Sequence, residues 1–190
     1  MSCKHQQNAE LEKALQYSIN FEHSLAIKHF KLAIKKEPLN PNIYFFLAEE
    51  YYAIKNYDAA IQCFEKCLEL NNSNIKAYEG LGNSYFEKKE YTKAIENYEY
   101  YLKSNPDDLL TLYNIGISHE KSADFDLAIQ EYHHIINLDP NFISAYLRLA
   151  LVYKIRNNDE LMAEMINKAI QLDPELAQNI DSKLEQLSKE

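Results

Sequence analysis

The sequence predicts an all-α chain, a solenoid of stacked antiparallel helix pairs, on the strength of three regularities. Pro38, Pro106, Pro140 and Pro174 fall on a 34-residue grid, with Asn72 at the remaining node. Bulk returns at the same interval: Tyr17, Tyr51, Tyr85 and Tyr153 form one column, and Phe30, Phe64, Tyr98 and Tyr132 another. Small residues return too, as Ala26, Ala60, Ala94 and Ala128 and as Ala48, Gly82, Gly116 and Ala150. A fixed period with fixed bulky and small positions marks a repeated unit that buries its core against its neighbours.

Within one period, Tyr44, Leu47, Ala48 and Tyr51 step by three and four, which places them on one stripe of a first helix. Ala60, Phe64 and Cys67 form the stripe of a second helix. Between such stripes lie short polar turns, Lys55-Asn56-Tyr57-Asp58, Lys89-Glu90-Tyr91-Thr92 and Ala123-Asp124-Phe125-Asp126, each with one aromatic that folds back onto the pair. Each proline lacks the amide hydrogen a helix interior needs, so it ends a second helix or opens the next unit. Asn40-Pro41 and Asp173-Pro174 read as an N-cap followed by proline at the first helical position. Gly82 and Gly116 sit in a helical column although glycine costs roughly 1 kcal/mol there relative to alanine. Close helix approach, which needs small contact residues, is the expected compensation.

These signals give repeats over 7–40, 41–74, 75–108, 109–142 and 143–176, within a single domain spanning 1–190. After Pro174 the narrow stripe Leu176, Ile180, Leu184 and Leu187 predicts a last helix over 175–188 that covers the exposed end. The first repeat carries Glu10 and Lys13 in columns held elsewhere by aromatics and leucines, and is expected to be the least stable. In the fifth, Met162 replaces the alanine and Ile166 the aromatic, so local repacking is expected.

Composition and motifs exclude several functions. The net charge is −9, and the acidic excess falls on the second to fourth repeats, so a basic stripe for nucleic acid is not expected. Lys28, Lys31, Lys35 and Lys36 fall on one helix and read as a solvated face with cations near a C-terminus. No apolar run follows Met1-Ser2-Cys3-Lys4, and no stretch is long enough to span a bilayer, so the expected address is cytoplasmic, without membrane insertion. Residues 1 to about 7 have little pattern and are expected to fray. Cys3, Cys63 and Cys67 fit reduced thiols, and Cys67 lies in the column of Ala33 and Ala169, where a thiol serves as a small hydrophobe. His133 and His134 are adjacent and point apart on a helix, and His119 occupies a tyrosine column, which makes it a packing residue rather than a metal ligand. With only three glycines there is no phosphate loop, and no nucleophile or acid–base pair emerges. No enzyme, metal or cofactor is expected.

The period and columns resemble the tetratricopeptide repeat (TPR) family, over five repeats and a capping helix. That resemblance implies a right-handed superhelix whose first helices line a concave face and whose second helices form the convex back. It implies a non-enzymatic scaffold or adaptor that holds a protein or peptide in the concave groove. First-helix positions left over after packing then become the candidate site. In the second and third repeats these are Phe45, Glu49 and Tyr52, then Glu79, Asn83 and Phe86. In the fourth and fifth they are Tyr113, Asn114 and Ile117, then Leu147, Arg148 and Leu151. Aromatic and leucine side chains there serve as anchors for an extended or a helical segment, with Asn83 and Asn114 meeting its backbone. Two alternatives stand beside this reading. One is self-association through the apolar stripe of the last helix. The other is the family's carboxylate clamp, for which Asn83, Asn114 and Arg148 match, whereas Glu79 and Ser144 stand where lysines are required.

Overall fold

The structure, a computed structural model, describes residues 8–189. The expected fraying up to residue 7, and Cys3 with it, lie outside the described residues. Eleven α-helices and no strand are found there. Five pairs carry the repeats: α1 (Ala9–Ile19) with α2 (His23–Lys36), α3 (Pro41–Ala53) with α4 (Tyr57–Leu70), α5 (Ile75–Glu87) with α6 (Tyr91–Leu102), α7 (Leu109–Lys121) with α8 (Phe125–Leu138), and α9 (Ile143–Ile155) with α10 (Asp159–Leu172). A 3-10 turn, Pro174–Gln178, and α11 (Ile180–Lys189) follow. The chain divides into two compact units, one up to Ser104 and one from Asn105 on.

One device closes every hairpin. Phe21, Lys55, Lys89, Ala123 and Asn157 all adopt positive φ, between 55° and 62°, and recur on the repeat interval. The amide of the next residue bonds the carbonyl five positions back: Glu22 to Tyr17, Asn56 to Tyr51, Glu90 to Tyr85, Asp124 to His119 and Asn158 to Tyr153, at 2.8–2.9 Å. This is the Schellman closure, which satisfies the last carbonyls of a helix through one left-handed residue. The same next residue is the N-cap of the following helix, and Asn56 and Asn158 accept the amides of Ala59 and Leu161. Sequence reading placed these turns but not their left-handed residue, because none of the five is glycine.

Packing couples size across each pair. A Cβ added at Gly82 would lie 2.5 Å from Tyr98 Cδ1, and one at Gly116 would lie 2.5 Å from Tyr132 Cε1. The equivalent small position is Ala14, Ala48 or Ala150 where the opposite column holds Phe30, Phe64 or Ile166. A tyrosine ring thus goes with a missing methyl. Its hydroxyl reaches a first-helix acceptor, Asn83 Oδ1 at 2.8 Å from Tyr98 and Glu120 Oε2 at 3.0 Å from Tyr132. Neighbouring hairpins share cores as well: Phe30 and Ala33 of α2 cluster with Ile43 and Leu47 of α3, and Phe64 and Cys67 of α4 with Ala77 and Leu81 of α5. Burial pushes the Cys63 thiol up to about 11 and raises that of Cys67, which suits packing and not nucleophilic chemistry.

The first hairpin accommodates its polar columns. Glu10 accepts from His29 Nδ1 at 2.6 Å, and the His29 ring stacks on Tyr17. That hydrogen bond holds the Glu10 carboxyl below its usual range. Buried Glu50 of α3 accepts from Ser18 and from His23 at 2.8 Å, tying the first hairpin to the second. In the fifth hairpin α10 buries Met165 and Ala169, while Met162 and Ile166 are half-buried.

Two substitutions test these devices by urea denaturation. Gly82→Ala gains about 1 kcal/mol of helix propensity but forces a methyl into a tethered ring, an overpacking cost of about 1–3 kcal/mol. A net loss of stability is expected. Ala123→Gly removes a left-handed strain of about 1–2 kcal/mol against a glycine entropy cost of about 0.5–1 kcal/mol. A modest gain is expected there.

Candidate functional site

In the first unit, Phe45 and Glu49 of α3 and Lys76, Glu79, Gly80 and Asn83 of α5 line a cleft of about 250 Å³. Asn40 and Pro41 start α3 and Asn74 caps α5, so both helices begin in register and present the same repeat positions side by side. The aromatics around the cleft are half-buried and held by rings. Phe45 meets Phe64 edge-on at 5.8 Å, Tyr52 leans on Tyr57 at 5.6 Å, and Phe86 meets Tyr91 at 5.7 Å. Each keeps part of its ring accessible while its orientation is fixed, so little side-chain entropy remains to be lost on contact.

The cleft is acidic. Crowding by surrounding protein, then Glu79 and Glu50, raises the Glu49 carboxyl above its ordinary range, with Lys76 opposing. The Glu49 residue as a whole is exposed, so the crowding acts on the carboxylate without closing the cleft to water. Lys76 pairs with Glu79 at 3.0 Å. Asn83 Oδ1 already accepts from Tyr98, which orients the side chain and leaves its amide nitrogen to donate. Burial, then Glu87 and Tyr57, pushes the Tyr52 hydroxyl up to about 12, which keeps it a neutral donor.

The second unit corrects the sequence reading. Leu147, Arg148 and Leu151 are 3%, 2% and 5% exposed, and Ile117 is buried too. Tyr113 and Asn114 are half-buried. The positions that precede them by whole repeats, Phe45 and Glu79 in one column and Glu49 and Asn83 in another, remain at least partly open. On this side α11 packs on α9 and buries its own Leu184 and Leu187. Arg148 Nη1 donates to the Leu187 carbonyl at 3.0 Å and to Glu120 Oε1 at 3.3 Å, and Nε donates to the Tyr113 hydroxyl at 3.2 Å. Burial works against the guanidinium charge, but Tyr113 and Glu120 outweigh it and raise its pKa.

The segment expected as one end-covering helix over 175–188 is therefore broken. The 3-10 turn stays against α10, and α11 turns onto the face of α9. Leu184 and Leu187 of that stripe are buried inside their own chain, while Leu176 and Ile180 are half-buried. Arg148 is likewise engaged, which removes the best-matched cation of a carboxylate clamp. Sequence reasoning missed Glu120 as its partner, although Glu120 shares the column of Tyr52 and Phe86 and is the one buried carboxylate in it. Removing one member of a buried pair leaves the other charge uncompensated, so Arg148→Ala is expected to lower stability by about 3–5 kcal/mol in urea denaturation.

Comparison with known proteins agrees with this geometry. The model of the tetratricopeptide repeat protein 21 C-terminal ARM domain matches residues 35–144, more than half of the chain, and a tetratricopeptide repeat model matches residues 143–176. No curated protein sequence matches. Among solved structures, a MamA protein is 23% identical with a TM-score of 0.82, covering 90% of this chain and 93% of its own. MamA 41-end from Desulfovibrio magneticus RS-1 is 17% identical with a TM-score of 0.84, covering 92% and 98%. YrrB, described as a TPR protein with an unusual peptide-binding site, is 20% identical with a TM-score of 0.80, covering 92% and 90%. These likenesses establish an α-solenoid of helix pairs, and no matching model describes a catalytic family. The chain belongs to the tetratricopeptide repeat family.

Proposed function

We propose that the chain is a protein-interaction scaffold whose first unit holds a peptide segment of a partner across α3 and α5. The observation that carries this reading is the acidic cleft of about 250 Å³ lined by Glu49, Glu79 and the oriented, half-buried ring of Phe45. Phe45 supplies an apolar anchor, with Tyr52 and Phe86 flanking it. The Asn83 amide meets the partner backbone. Glu49 and Glu79 favour a segment with a lysine or arginine beside its apolar anchor, since a cation offsets the carboxylate repulsion that, after burial, raises the Glu49 carboxyl. YrrB, of the same fold, has a peptide-binding site by its own description. The mechanism is binding alone: repeats hold the helices rigid, and binding energy concentrates in a few aromatic contacts.

Affinity capture from the native source, followed by titration of the captured partner, tests the assignment. Phe45→Ala is expected to weaken binding at least about tenfold, equivalent to about 1.4 kcal/mol. Unchanged affinity with helicity retained would sink it. The pH dependence has a definite sign. A raised carboxyl takes up its proton earlier as pH falls, so Glu49, facing Glu79, Glu50 and Lys76, loses its attraction for a cation first. Affinity is expected to begin falling above the ordinary carboxylate range as pH drops, and Glu49→Gln to flatten that fall; a flat profile in the unaltered chain would remove the cation from the description.

A further inference from the structure

The same face of the second unit is already filled. In the first unit the column of Glu49 and Asn83 is open, and in the second its members Ile117 and Leu151 are buried. The column of Phe45 and Glu79 ends in buried Leu147, and that of Tyr52 and Phe86 passes through buried Glu120. Arg148 looks back from α9 to α7, where it meets Tyr113 and Glu120, and it also reaches the carbonyl of Leu187. A helix that only covered the end of the array would not reach a side chain that faces the preceding hairpin. So α11 lies on the first-helix face, in the place a ligand takes.

Its attachment to α9 is slight beside that of α10 to the same helix. Two of its ten residues, Leu184 and Leu187, are buried. A 3-10 turn and Asn179 separate it from α10, so it can leave without unwinding another helix. Beneath it the floor is complete without it: Arg148 keeps Glu120 and Tyr113, and Glu120 keeps the Tyr132 hydroxyl at 3.0 Å.

We infer that α11 is a built-in ligand of the second unit. It gives way to an amphipathic helix of a partner protein that presents two leucines three residues apart and a last-turn carbonyl to Arg148. The chemistry of the partner is copied from the occupant. Leu184 and Leu187 are the buried side chains of α11, which packs on α9, and Arg148 reads a carbonyl that a helix leaves unsatisfied in its final turn. The inference rests on the reading of the first-helix face as a binding surface. It concerns other residues than the cleft at Phe45, and the chain itself supplies the probe.

The test uses the full chain with Leu184→Glu and Leu187→Glu, which removes both buried anchors of α11, and a fluorescein-labelled peptide with the sequence of residues 179–190. Fluorescence anisotropy should report binding to this released chain. Binding to the unaltered chain should be at least about tenfold weaker, since a ligand sees only the fraction of molecules whose site is open. A peptide carrying the same two substitutions should not bind either chain. Equal affinity for released and unaltered chains would overturn the inference. So would no binding to a released chain that keeps its helical circular dichroism. A concentration-dependent dimer of the unaltered chain, exchanging α11 between copies and seen by light scattering, would also overturn it. Should the released chain fail to fold, hydrogen exchange on the unaltered chain decides. The α11 amides are expected to exchange well before those of α9, and exchange of both together would make α11 a permanent part of the core. Failure here leaves the Phe45 reading untouched, because that reading stands on the captured partner.

Discussion

The separation between the two helices of a pair depends on one contact, a small first-helix residue against a large second-helix side chain. Gly82 faces Tyr98 and Gly116 faces Tyr132, and the same two columns hold Ala14 with Phe30, Ala48 with Phe64 and Ala150 with Ile166. Helix axes come within about 8–10 Å only when the contact residues allow it. That distance sets how deep the remaining columns lie, and hence which residues are left for the first-helix face. Where the ring carries a hydroxyl, it emerges on that face and binds Asn83 or Glu120, so core packing also orients the polar groups of the site.

The hairpin closures work with this contact. A left-handed residue at the same point in all five turns returns the second helix antiparallel and caps it at once. Non-glycine residues in that conformation are strained, and five of them persist because the helices on either side determine the turn. Phe21 is the extreme case, 80% exposed with φ of 58°.

One set of columns meets two different ends. In the first unit the first-helix face bears aromatics and carboxylates open to solvent. In the second it bears leucines, a buried arginine and α11. The buried guanidinium is held there by Glu120 and the Tyr113 hydroxyl of α7, with the Leu187 carbonyl of α11 beside them. A repeat fold thereby carries local differences in function without any change in its core.

The 34-residue period was legible because the core is a repeated local problem: every hairpin needs the same bulky and small residues at the same steps, and 3.6 residues per turn converts those steps into faces. The helix pairs, the prolines at their borders and the packing roles of Cys67 and Gly82 could all be read from side-chain type alone. The first-helix positions Phe45, Glu49 and Asn83 of the second and third repeats are at least partly open, although the same columns are buried at Ile117, Leu147 and Leu151. The fate of Ile117, Leu147, Arg148 and Leu151 could not be read, because burial depends on contacts between segments far apart in sequence, as Arg148 with the Leu187 carbonyl shows. The stripe Leu184–Leu187 announced an apolar face and not where it lands. Periodicity is local and survives in one dimension. Which surface a terminal helix covers is settled only by the competition of three-dimensional faces for its two leucines.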